Sequence, residues 1–77
     1  MKIIVSGQAP FKALRQEFMV GATTGGYTVA YSADKETWTT DTDAVVPANE
    51  VLCYLSSVPY GYYKLSGNTD TNTVVIL

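Results

Sequence analysis

Histidine is absent from this chain, cysteine occurs once, and charge is sparse: five Lys or Arg against seven Asp or Glu in 77 residues. Without histidine, no side chain has its ordinary pKa close to neutrality, so general acid–base chemistry would have to rest on carboxylates. One cysteine cannot close an internal disulfide, and with no histidine beside it no zinc site can be assembled. Cys53 stands in the apolar run Val51-Leu52-Cys53-Tyr54-Leu55. There it reads as a small buried hydrophobe, with no group nearby to favour its thiolate. No serine sits in a nucleophile-elbow pattern. No apolar run approaches the ~18 residues of a membrane span, so no membrane partner is expected. Lys2, Lys12, Arg15, Lys35 and Lys64 are spread along a chain of net charge −2, which argues against nucleic acid as a partner.

What the chain does contain is β-pattern. In Tyr27 to Ser32, Tyr27, Val29 and Tyr31 alternate with Thr28, Ala30 and Ser32, which puts the large groups on one face of a strand. Ala33-Asp34-Lys35-Glu36 reads as a hairpin connection and Thr37 to Thr40 as the return strand, with Trp38 as a core plug. Lys2 to Ser6 is a first strand with Ile3 and Val5 pointing one way and Ile4 the other. The segment 11–18 fits either a helix, with Phe11, Leu14 and Phe18 on one face, or a loop followed by a strand over Arg15 to Val20. The all-β pattern downstream favours the strand. Asp41 to Asn49, with Pro47 inside it, reads as a loop. Glu50 to Ser56 reads as a strand covered on both faces. Tyr62 to Ser66 has Tyr63 and Leu65 on one side, and Asn72 to Leu77 is a final β-branched strand. About seven short strands at spacings of roughly 8–12 residues predict one all-β domain over residues 1–77. The expected fold is a small antiparallel two-sheet sandwich of immunoglobulin-like type.

Few groups suggest chemistry. The carboxylates Asp34, Glu36, Asp41, Asp43, Glu50 and Asp70 fall mostly in turns, where aspartate serves local hydrogen bonding, and a domain this small has little room for a deep cleft. The chain is therefore read as non-enzymatic. Asp41-x-Asp43 and Asn68-x-Asp70-x-Asn72 alternate oxygen ligands as calcium loops do, but both lack the glycine and terminal glutamate of a full loop, so no metal or cofactor is expected. Tyrosine is the more informative residue. Tyr60, at a turn tip beside Pro59 and Gly61, and Tyr62, opposite Tyr63, are candidates for a protein interface. With Trp38 they could instead form a sugar-stacking platform. The terminal strands carry few charges, and as sheet edges they would invite pairing with another chain through Ile4, Val74 and Ile76. A small core without disulfides also favours support from a partner subunit, a homo-oligomer included.

Three stretches carry a family likeness. They are Phe18 to Thr23, Gly26 to Asp34 with Trp38, and Pro47 to Glu50 together with Tyr63 to Asp70. Together they resemble small β-sandwich proteins of tailed phages that infect gut bacteria, crAss-like phages among them. Lys35 stands where such proteins often carry glycine. The resemblance implies an auxiliary capsid (decoration) protein or a head-fibre component. Such a protein would be made in the host cytoplasm and bound to the major capsid protein, or to other virion proteins, on the capsid exterior. A carbohydrate-binding or adhesion module and a small regulatory or inhibitor protein are the alternatives.

Overall fold

Alternation of large apolar with small or polar residues dictates most of the strands. The computed structural model describes residues 1–13, 17–55 and 61–77. Eight strands occur there: β1 (Lys2–Val5), β2 (Phe11–Lys12), β3 (Glu17–Gly21), β4 (Tyr27–Ser32), β5 (Thr39–Val46), β6 (Val51–Leu55), β7 (Tyr62–Ser66) and β8 (Thr73–Ile76). They form two four-stranded sheets, ordered β1-β8-β3-β6 and β2-β7-β4-β5, with every pairing antiparallel. The fold is the expected small two-sheet sandwich. Segment 11–18 contributes strand residues and no helix among its described positions, while Leu14, Arg15 and Gln16 lie outside them.

The core lies between the sheets. One end is aromatic: Phe11 and Tyr63 from one sheet meet Phe18 and Tyr54 from the other, with ring centroids 5.0 to 6.2 Å apart and mostly edge-to-face. The other end is aliphatic and includes Val5, Val20, Val29, Val46, Leu65 and Val75. Tyr54 also donates its hydroxyl to Asp41 at 3.3 Å, tying β6 to β5 across the sandwich.

Several expectations are corrected. The return strand of the hairpin is not Thr37 to Thr40; it begins at Thr39 and runs through the predicted loop to Val46, where Pro47 ends it. Its register slips between Thr28 and Val29, an irregularity that short-range alternation does not reveal. Trp38 is not in the core. It precedes β5, half-buried, and its indole N–H donates to the Lys35 carbonyl at 3.1 Å. The connection is longer than four residues because Asp34 holds it open. One of its carboxylate oxygens accepts from the backbone N–H groups of Glu36 and Thr37 and from the Ser32 hydroxyl, all at 2.9 Å. Lys35 takes a left-handed conformation there, φ 65°, in the place where glycine would sit without strain. β6 is not covered on both faces. It is an edge strand, and Cys53 is exposed rather than buried. Of the terminal strands only β1 is an edge; β8 lies between β1 and β3 because its uncharged, β-branched sequence suits a central position.

A polar knot closes one end. Asn68, almost fully buried, donates to the Gly7 carbonyl (2.8 Å) and the Thr73 hydroxyl (2.9 Å) and accepts from the Asp70 N–H (2.9 Å). The Gly7 N–H in turn donates to the Asp70 carbonyl at 2.8 Å. The Asn68-x-Asp70-x-Asn72 pattern is therefore spent on joining the β7–β8 turn to the end of β1.

Candidate interaction surfaces

The outer faces of the two sheets differ in character. On the β2-β7-β4-β5 sheet, Lys12, Tyr62 and Lys64 point outward by alternation, next to Ser32 and Ala30 in the ladder. Ser32 and Ala30 are nonetheless fully buried, because the connection from Ala33 to Trp38 folds back over them. The Lys12 and Lys35 ammonium groups lie 5.9 and 4.9 Å from the Tyr62 ring centre, and that of Lys64 lies 4.6 Å from the Trp38 ring. Three lysines that are scattered in sequence thus converge on one face. This outer face is mostly polar, and the connection covers only part of it: Lys12, Thr40 and Val45 stay exposed.

The outer face of the β1-β8-β3-β6 sheet is apolar and bare among the described residues. The register places Lys2, Ile76, Met19 and Cys53 in one row across the four strands and Ile4, Val74, Gly21 and Val51 in the next. Glu17 and Leu55 begin a third row. Leu55 is 73% exposed, Val51 59%, Ile4 55% and Ile76 44%. With strands ~4.8 Å apart and residues ~3.4 Å apart, the face spans roughly 19 by 17 Å. Two shallow depressions of about 340 Å³ each mark it, one beside Met19, Cys53 and Ile76 and one at Gly21 between Val51 and Val74. A methyl at Gly21 would meet Val51 and the Glu50 carbonyl at ordinary contact distances of 3.7 and 3.8 Å, so this glycine makes a notch that no backbone constraint demands.

The structure therefore divides the expected site residues. Ile4, Val74 and Ile76 share the apolar face. Tyr62 lies on the opposite, lysine-bearing face, and Tyr60 falls outside the described residues. Trp38 and Tyr62 both have a lysine ammonium close to the ring. Sequence reasoning missed Met19, Val51, Cys53 and Leu55. The signal was present: Val51-Leu52-Cys53-Tyr54-Leu55 is apolar at both parities, and one parity fills the core while the other forms this face.

The carboxylates do structural work. Backbone N–H groups of Thr37 and then Glu36, with the Ser32 hydroxyl, hold Asp34 below the usual carboxylate range. Asp70 is lowered likewise, first by the N–H of Asn72, then by the hydroxyl and N–H of Thr23. Asp41 accepts from the Asp43 N–H (3.2 Å) and from Tyr54. Among the described residues, no three His, Cys, Asp or Glu side chains converge as a metal site would require, and no helix is long and apolar enough to cross a membrane. No protein-family model, curated protein or solved structure matches this chain.

Proposed function

We propose that this protein is a non-enzymatic structural component that works as part of a larger protein assembly, through contacts made by the apolar outer face of the β1-β8-β3-β6 sheet. The observation that carries this reading is the bare face itself. The largest apolar patch of a folded monomer, commonly a few hundred Å², is often functional, and this face falls in that range. Here the patch is built from central as well as edge strands, whereas the outer face of the opposite sheet is mostly polar. The resemblance to phage virion proteins makes the capsid exterior the assembly we propose. Many copies bound side by side would give tight overall attachment from modest single contacts.

The test is a substitution at the centre of the face. Met19→Lys points outward from β3, so the variant should fold and melt close to the parent while its retention on purified virions falls at least tenfold. Retention equal to the parent's would remove this face from the assembly contact. The chain's own abundance in density-purified virions, measured against the major capsid protein, tests the virion reading separately. Hundreds of copies per particle are expected for a decoration protein, a few tens would point to fibres, and absence would refute the assignment to virions.

A further inference from the structure

The reading of the apolar face as a protein contact leaves its occupant open. We infer that the occupant is a second copy of this chain, packed face to face through the β1-β8-β3-β6 sheet about a two-fold axis. The inference rests on the proposed role of that face, and two features of the face point to self-pairing.

The first is charge. The strand rows of the face carry one cation, Lys2 on β1, and one anion, Glu17 on β3, displaced from each other both across the strands and along them, while Glu50 stands at the rim beside Val51. A surface that pairs with its own copy needs each charge matched by its opposite at the symmetry-related point, because an isologous interface repeats every contact twice. The second is shape. On a flat lattice with strands ~4.8 Å and residues ~3.4 Å apart, a two-fold axis lying in the face beside Met19 can set Lys2 of one copy over Glu17 of the second. The same axis brings Leu55 over Ile4, Cys53 over Val74, and Val51 over the notch at Gly21. A single operation thus satisfies the charges, buries the most exposed apolar side chain and fills the notch. The strands of the two copies cross steeply, nearer to orthogonal than to aligned sheet packing.

The area bounds the strength of this pairing: the face offers on the order of 300 Å² in projection, and more with its corrugation, against the ~800 Å² per partner of a standard stable interface, so the dimer is weak and concentration-dependent.

Sedimentation velocity over a wide concentration range tests this with four proteins: the parent, Lys2→Glu, Glu17→Lys and the double exchange. The parent should move from monomer to dimer as concentration rises. Each single exchange places like charges opposite each other twice per dimer and should weaken dimerisation by about tenfold, while the double exchange should recover to within about threefold of the parent. Single exchanges that leave dimerisation unchanged, or a double exchange weaker than either, would overturn the face-to-face arrangement; pairing through the β6 edge would give that first result. A parent that stays monomeric at every concentration would overturn the second-copy inference. If Met19→Lys still lost virion retention in that case, the face would remain a contact for a different protein. If it did not, both readings would fail.

Discussion

Replacing Asn68 by alanine is expected to cost a large share of this domain's stability. The Asn68 side chain makes three hydrogen bonds, to the Gly7 carbonyl, the Thr73 hydroxyl and the Asp70 N–H, at 2.8 to 2.9 Å. Each such bond contributes a net ~1 kcal/mol, and a buried group left without its partner costs ~1–3 kcal/mol more. Thr73 is fully buried, so its hydroxyl loses its partner where water does not reach; Gly7 and Asp70 are partly exposed and can turn to solvent. The Thr73 bond with its stranded hydroxyl alone comes to about 2–4 kcal/mol, which is the least loss expected. For a domain of this length, total stability is expected at roughly 4–12 kcal/mol. The loss should appear as a fall of roughly 8–32 °C in Tm in a circular-dichroism melt, at ~4–8 °C per kcal/mol for a small domain. Asn72→Ala is the control, since Asn72 is exposed and its side chain donates only a 3.3 Å bond to Thr71; it should cost under ~0.5 kcal/mol. A double-mutant cycle of Asn68→Ala with Thr73→Val should show coupling of about 1 kcal/mol. An Asn68→Ala protein within 0.5 kcal/mol of its parent, at about the level of a surface substitution, would refute the polar-knot account.

Three further outcomes follow from the same geometry. Gly25→Ala should destabilise by about 2 kcal/mol or more in urea titration, because its Cβ would fall 2.3 Å from the Ala48 nitrogen and 2.8 Å from the Ala48 Cα, both backbone atoms. Gly21→Ala, with nothing closer than 3.7 Å, should be tolerated. Tyr63→Phe should be neutral or stabilise by up to ~1 kcal/mol, since the Tyr63 hydroxyl is buried with no hydrogen-bond partner among the described residues; a loss above ~1 kcal/mol would mean that this hydroxyl is satisfied. Acid titration reports Asp34 and Asp70. Both have folded-state pKa values below the ordinary 3.8, so their stabilisation is fully present above that value and is lost as pH falls through the lower folded values. Asp34→Asn and Asp70→Asn should each flatten the acid limb of stability against pH, and a limb unchanged in both would contradict the hydrogen-bonding account.

The fold was largely legible because alternation is a local signal. Parity alone places Tyr63 and Leu65 on one side of a strand, and both are fully buried. Trp38 was misplaced because size argues for burial only when no lysine and no backbone carbonyl offer the indole another setting; here Lys64 and the Lys35 carbonyl do. The length of β5 was hidden by its polar, irregular middle, where pairing to β4 rather than side-chain pattern holds the strand. The candidate face was half legible. Ile4, Val74 and Ile76 could be named from the terminal strands, but joining them to Met19, Cys53 and Leu55 required the strand order, which places β3 beside β8 and β6 beside β3. Long-range order of that kind is set by how the two sheets share one core, and no short window of sequence contains it.

If the β1-β8-β3-β6 face is covered by protein in the working state, Cys53 reports on it directly. It is the sole cysteine, it is exposed, and it lies in the same row as Met19 and Ile76. The rate of its alkylation by a bulky maleimide should be compared between the dilute isolated chain and the same chain in its native assembly. The account predicts ready reaction in the dilute chain and a rate at least tenfold lower in the assembly. Equal rates in the two states would mean that the face stays open to water, and would contradict the account.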